Sequence, residues 1–223
     1  MSEERIFISC GRIELEGLIH TQEALSSRTG VIFCHPHPQY GGNMHNLVIS
    51  SAVEAACEEG FSTLRFNFRG VGRSSGEYAE GVGEREDVAA VIGYFSSRLK
   101  DDRPLLIVLG YSFGAWAGLP LAVEDKRVFG TVAIAPPLEM YDFDFLKGCQ
   151  KSKLFIAGDQ DIFCPASRLE KWYQTLEEPK SMVIIPGADH FFFSHHRLLI
   201  QPLREFFRMI KSKAAGSELT TPN

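Results

Sequence analysis

No two cysteines of this chain form a Cys-x-x-Cys pair, and the five present, Cys10, Cys34, Cys57, Cys149 and Cys164, are odd in number and irregular in spacing. Neither a disulfide framework nor a zinc ribbon is indicated, and a reducing, cytoplasmic compartment is the expectation. An excess of positive charge is also missing. With 23 Lys and Arg against 28 Asp and Glu the formal charge is -5, and the basic residues are scattered, so no nucleic-acid partner is expected. No apolar run is long enough to span a bilayer, and the polar, acidic start from Met1 to Arg5 lacks the h-region of a secretory leader, so no membrane partner is expected either. What the chain does have is 44% hydrophobic residues in 223, enough to bury a core. A single domain over residues 1–212 is expected, with residues 213–223 as a frayed tail. The oligomeric state is left open, a homodimer included.

The stretch at 105–119 organises the rest. The apolar run Leu105, Leu106, Ile107, Val108, Leu109 is followed by Gly110, Tyr111, Ser112, Phe113, Gly114 and then by Ala115 to Leu119. This reads as a buried strand, a Gly-x-Ser-x-Gly turn and a helix. A serine on so sharp a turn has its hydroxyl pushed clear of the backbone, and flanking glycines leave room for the turn to pack. Ser112 is therefore the candidate nucleophile, against the bland alternative that it only caps a helix.

Around that unit, strands and helices alternate. Residues 5–10 and 12–20 alternate apolar and polar about Gly11, like two half-exposed antiparallel strands at a sheet edge. Residues 21–30 read as polar loop. Val31 to Cys34 is a short buried strand, ended by the stiff loop His35, Pro36, His37, Pro38, Gln39, Tyr40, Gly41, Gly42. A helix is predicted over 43–59, a strand over 61–68 and, after a second glycine-rich loop, a helix over 84–99 that Asp102 to Pro104 closes. Strands at 130–135, 153–157 and 181–185 follow. Between the last two, Pro165 can open a helix running through Leu176. The final amphipathic helix, through Leu198 and Ile210, is expected to kink near Pro202. Such alternation implies a mostly parallel sheet wrapped on both faces, with an antiparallel pair at its start, and function gathers at the carboxyl ends of its strands.

Ser112, Asp161 and His190 each directly follow an apolar strand, in the order nucleophile, acid, histidine. A histidine, with an ordinary pKa near 6.5, can take the Ser112 proton and return it to the leaving group. Asp161 would hold the other ring nitrogen. Asp159 competes for that role, and Asp161 is preferred because it lies further into the loop. Asp189 is assigned to loop or cap hydrogen bonds, and His195 and His196 to the surface; His20 and His45 carry no signal. An oxyanion needs backbone N–H donors. Phe113, just after the nucleophile, supplies one. In the loop after the earlier strand Pro36 and Pro38 have no N–H, which leaves His37 as the second. The same loop could be read as a metal site built on His35, His37 and His45, but no carboxylate or thiolate completes a ligand set, so neither metal nor organic cofactor is expected. His35 is assigned to bracing the loop.

Gly-Tyr-Ser-Phe-Gly at 110–114, Asp161, Gly-Ala-Asp-His at 187–190, His-Pro-His-Pro-Gln-Tyr-Gly-Gly at 35–42 and Arg-Phe-Asn-Phe-Arg-Gly-Val-Gly-Arg-Ser at 65–74 together resemble the small α/β-hydrolase proteins related to dienelactone hydrolases, over nearly the whole chain. The resemblance implies the α/β-hydrolase fold and a serine-hydrolase triad on the residues named. Dienelactone hydrolases proper have a cysteine where this chain has Ser112, so lactone cleavage does not carry over. Arg69 and Arg73 are assigned to bracing their loop, with contact to an anionic substrate group as the alternative. The leading reading is a serine carboxylic-ester hydrolase working through an acyl-enzyme on a small-molecule ester. A thioesterase or amidase with the same triad, and a non-catalytic binding module on the same fold, are the alternatives. About fifteen residues separate Pro137 from Lys153, too few for a multi-helix cap. The alternating Tyr141, Asp142, Phe143, Asp144, Phe145 there either borders a modest pocket or anchors the connection. An open site for short or compact acyl groups follows.

Overall fold

Apolar residues that run on without a break along the inner strands feed two cores, because successive side chains leave a strand on opposite faces. In the computed structural model of the protein, Val31 and Phe33 of β3 (Thr29–Cys34) enter one core, and Ile32 and Cys34 enter the other. The structure describes residues 3–21, 28–99 and 103–218, with side chains through Lys213. Eight strands form one sheet. They are β1 (Glu4–Cys10), β2 (Ile13–His20), β3, β4 (Ser62–Phe66), β5 (Leu105–Tyr111), β6 (Val128–Ile134), β7 (Ser152–Gly158) and β8 (Lys180–Ile185). Their order across the sheet is β1-β2-β4-β3-β5-β6-β7-β8. β2 pairs antiparallel with both β1 and β4, and every other pairing is parallel.

Among the described residues five α-helices cover the sheet: α1 (Leu47–Glu58), α2 (Val82–Arg98), α3 (Phe113–Glu124), α4 (Ala166–Tyr173) and α5 (Ile200–Glu218). α1 and α5 share a core on one face through Val48, Ala52, Leu203 and Phe207. On the other face, Val91 and Phe95 of α2, Leu119 of α3 and Leu169 of α4 belong to one core. Each such fully buried large side chain contributes about 1.5–3 kcal/mol of transfer free energy. This is the mostly parallel, doubly covered sheet expected from the alternation of elements, and the α/β-hydrolase arrangement that the resemblance implies. Chain direction across the sheet reverses at β3: β3 leads to β4 on one side, and the chain then crosses back to place β5 on the other. The crevice at the carboxyl ends of β3 and β5 is where such a sheet accepts a ligand.

Several local expectations are corrected. β2 is an inner strand, not a half-exposed one: residues 15–19 are all buried, Glu16 among them, because β4 pairs along its second edge. The first helix begins at Leu47, since Asn46 caps it by accepting the Val48 N–H at 2.9 Å and residues 43–46 form a turn. β4 spans less than the predicted 61–68. α4 ends at Tyr173, short of Leu176, and Pro165 precedes rather than opens it. Pro202 kinks nothing: it is the third residue of α5, where a backbone N–H has no intrahelical acceptor to lose. The helix continues to Glu218, past the expected tail boundary, and residues 219–223 lie outside the described residues. So do most of the 21–30 loop, Asp102 and the first two residues. Among the described residues no helix is long and apolar enough to cross a membrane.

Candidate active site

Ser112 sits between β5 and α3 with φ 54° and ψ -121°, a left-handed conformation that a non-glycine residue adopts only where its surroundings enforce it. The enforcement is steric. A Cβ on Gly110 would overlap the backbone of Ala115, and one on Gly114 would overlap the carbonyl of Cys34 at the end of β3. Only glycine at both positions lets the turn close against its neighbouring strand.

The hydroxyl so presented lies 2.9 Å from His190 Nε2, and His190 Nδ1 lies 2.8 Å from Asp161 Oδ2. With Nδ1–H donating to the carboxylate, Nε2 is left as the acceptor for the Ser112 O–H. Asp161 is buried, and its other oxygen accepts the N–H groups of Phe163 and Cys164 at 2.8 and 2.9 Å. Of the two acids in that loop, it is Asp161 that meets the imidazole. Asp159 instead accepts the Gly187 N–H at 2.7 Å and so ties the loop after β7 to the loop after β8. Asp189 accepts the N–H groups of Phe191 and Phe192, a local turn.

The Phe113 N–H is the first of α3, with no intrahelical acceptor, and the Phe113 ring is buried against His37 at 4.7 Å between centroids. The loop carrying His37 is held by its neighbour. His35 is fully buried, its Nδ1 is 2.6 Å from the Pro36 carbonyl, and its Nε2 accepts the Phe68 N–H at 3.0 Å. Burial lowers its pKa to about 4, so the ring is neutral with its proton on Nδ1. The His37 ring accepts the Gln39 N–H and lies 3.3 Å from the Tyr78 hydroxyl, and partial burial holds it below the ordinary histidine value. The nitrogens of His35 and His37 are thus committed to the loop and its neighbours, and among the described residues no His, Cys, Asp and Glu cluster suits a metal ion.

Three contributors to the site, Tyr111, Phe163 and Phe191, escaped the sequence reading, and a fourth residue, His196, was misplaced by it. Tyr111, just before the serine, is buried and donates its O–H to the His190 carbonyl at 2.9 Å. Burial, with Asp161 and Asp189 nearby, pushes its phenol well above the ordinary value and keeps that proton in place. Its partner is 79 residues away, so only its place inside the motif could have marked it. Phe163 and Phe191 flank the imidazole at 4.8 and 5.5 Å. His196, expected on the surface, is half-buried with Nδ1 2.9 Å from Ser51 Oγ, and so pins the start of the last helix to α1. Arg69 braces its loop by pairing with the buried Asp87 at 2.8 Å.

Ser112, His190, Phe113 and His37 open onto a cleft of about 550 Å³ walled by Tyr40, Met140, Tyr141, Phe163 and Phe191. The two expectations for residues 141–145 divide between residues. Tyr141 faces the cleft and stacks on Trp116 at 4.3 Å, whereas Phe143 is buried as an anchor. A groove of about 770 Å³ at the amino ends of β6 and β7 has no histidine, and its Lys151 is committed to the carbonyls of Ala122 and Asp125.

A hydroxyl, an imidazole and a buried carboxylate linked by hydrogen bonds, with N–H groups beside an open cleft, define a hydrolase site on an α/β fold. The model of the Alpha/beta hydrolase family matches residues 31–160, and the chain belongs to that family. It is 37% identical over 166 residues, 71% of this chain and 69% of the other, to the uncharacterized protein RP471 of Rickettsia prowazekii. Two solved structures share its fold over nearly the full length of both chains. One is an alpha-beta serine hydrolase homologue from Coxiella burnetii, 33% identical, TM-score 0.83, covering 92% of this chain and 97% of that one. The other is a serine hydrolase without lid from Xanthomonas campestris, 30% identical, TM-score 0.83, covering 94% and 95%.

Proposed function

We propose that the protein is a serine carboxylic-ester hydrolase that works through an acyl-enzyme on Ser112, within the His-Pro-His-Pro subgroup related to dienelactone hydrolases. The observation that carries the reading is the unbroken chain Ser112 Oγ, His190 Nε2, His190 Nδ1, Asp161 Oδ2, with links of 2.9 and 2.8 Å beside an apolar cleft. In this reading His190 takes the serine proton as Oγ attacks the ester carbonyl carbon. Asp161 holds the ring and stabilises the imidazolium, and the N–H groups of Phe113 and His37 receive the oxyanion. The imidazolium then protonates the departing alcohol. Water, deprotonated by the same ring, cleaves the acyl-serine and releases the acid. The buried thiol of Cys164 behind Asp161, its pKa raised by burial, stays neutral and takes no part. The short connection after β6 and the apolar walls favour short or compact acyl groups, in keeping with the lidless architecture of the Xanthomonas relative. Thioesters and amides pass through the same tetrahedral species, so a substrate panel ranks them. The decisive experiment is labelling with a fluorophosphonate followed by intact-mass and peptide analysis. One adduct on the peptide holding Ser112, absent in Ser112→Ala, is expected; an adduct elsewhere, or none, overturns the reading.

A further inference from the structure

The cleft does not end at the oxyanion loop. Gly41 and Gly42 line it on one side and, on their other side, line a second groove of about 560 Å³ that runs toward the edge strand β1. The floor of this groove is Glu16, a carboxylate only 3% exposed. It accepts hydrogen bonds from Asn67 Nδ2 and from the Arg73 backbone N–H, both at 2.9 Å, and pairs with the Arg5 guanidinium. Glu16 is thereby neutralised and fully satisfied by groups already present. The Arg73 side chain has no such partner. It is exposed, its guanidinium rests 5.3 Å from the centre of the Phe7 ring, and among the described residues no carboxylate pairs with it. A guanidinium laid over an aromatic face keeps its in-plane N–H donors for other groups, and those donors match carboxylate or phosphate oxygens. The groove therefore carries one surplus positive charge on a chain whose net charge is negative, while the cleft joined to it is walled by Met140, Phe163 and Phe191.

We infer that this groove is an anion subsite, with Arg73 as its principal cation, and that the preferred substrate is an ester bearing an apolar group on one side of the scissile bond and a carboxylate or phosphate on the other. The inference rests on the ester-hydrolase reading and names the substrate class of that site. Apolar contact in the cleft and charge pairing in the groove would hold the two halves apart, with the carbonyl at Ser112 between them. Neutral esters lack the second anchor. An exposed ion pair of this kind is worth a factor of roughly 2–5, and salt screens it.

The test measures kcat/KM of the full chain on two matched series with graded spacers. In one, nitrophenyl esters carry a terminal carboxylate on the acyl side and are compared with their methyl-capped counterparts. In the other, butyryl esters of hydroxyalkyl phosphates are compared with butyryl esters of the unphosphorylated alcohols. In one series, at the fitting spacer, the anionic member is expected to be preferred by roughly 2–5-fold at low salt. Arg73→Gln should abolish the preference. Arg12→Gln, the same charge change in the exposed turn between β1 and β2, should keep it. Neutral esters turned over with no anionic preference in either series, or a preference indifferent to Arg73→Gln, overturn the subsite and leave the hydrolase reading standing. Binding of butyl phosphate, followed by NMR on the unreacted protein, reads the subsite without catalysis. Weakening by Arg73→Gln supports it even if no ester is cleaved, and equal binding to both forms overturns it.

Discussion

Lowering the pH should loosen the fold at His35 before it touches most of the core. The ring is fully buried, with Nδ1–H on the Pro36 carbonyl and Nε2 on the Phe68 N–H, and its pKa falls from 6.5 to about 4 because burial penalises the charged form. The sign follows directly. Between pH 6.5 and 4 the unfolded chain binds a proton at this residue and the folded chain does not, so stability is present above pH 6.5 and is lost as the pH falls toward 4. With those two values the loss at pH 4.5 is about 2 kcal/mol relative to pH 7. At a urea slope of about 2–3 kcal/mol/M, the midpoint should drop by about 1 M from this residue alone. Other groups titrate in the same window, so the measurement is a double difference. The stability gap between the wild type and His35→Gln, which retains an acceptor for the Phe68 N–H but cannot titrate, is taken at pH 7 and again at pH 4.5 from urea unfolding followed by circular dichroism. The gap should shrink by about 2 kcal/mol. A gap that stays constant within about 0.5 kcal/mol would mean that His35 is not held neutral by its burial, and that the bracing of the loop carrying His37 has another origin.

Asp161→Asn should lower kcat/KM for a nitrophenyl ester by about 100- to 10,000-fold, because the imidazole loses its orienting charge. Asp159→Asn should leave it within a few-fold; the reverse ranking would show that the wrong acid has been chosen. Tyr111→Phe removes the O–H that holds the His190 carbonyl, and a fall of about 10-fold in kcat with little change in KM is expected. An unchanged kcat would make that bond dispensable. Nitrophenyl butyrate should be turned over faster than the laurate or palmitate, and no jump in rate should appear above the critical micelle concentration; a long-chain preference would contradict the open, compact site.

The parts of this protein that could be read from its sequence are those whose cause is local. The inner strands declare themselves because they are covered on both faces and need no polar residue for several positions. Ser112 does so because a strained turn demands glycine on either side of it, and the structure supplies the two overlaps that explain the demand. His190 and Asp161 were legible one step less directly, through their place just after a strand. What was hidden depends on distant partners. β2 reads as an edge because its alternation is real, yet β4, 45 residues on at the Ile19–Leu64 pair, hides Glu16. Tyr111 looks like an ordinary aromatic until its hydroxyl finds the His190 carbonyl. Pro202 signals a kink or a helix start equally well, and only the preceding turn decides.

The distance in sequence between the serine and its histidine has a consequence for the growing chain. A chain that has reached residue 175 holds the elbow and Asp161, but the imidazole lies ahead of it and β8, the strand that delivers it, has not been made. Ser112 therefore spends most of synthesis without its imidazole partner. On the proposed reading, the hydrogen bond that makes it a nucleophile forms only when the last strand docks against β7, and the capacity to react with an ester arrives together with completion of the sheet. A probe that labels Ser112 would then serve as a clock for the end of folding.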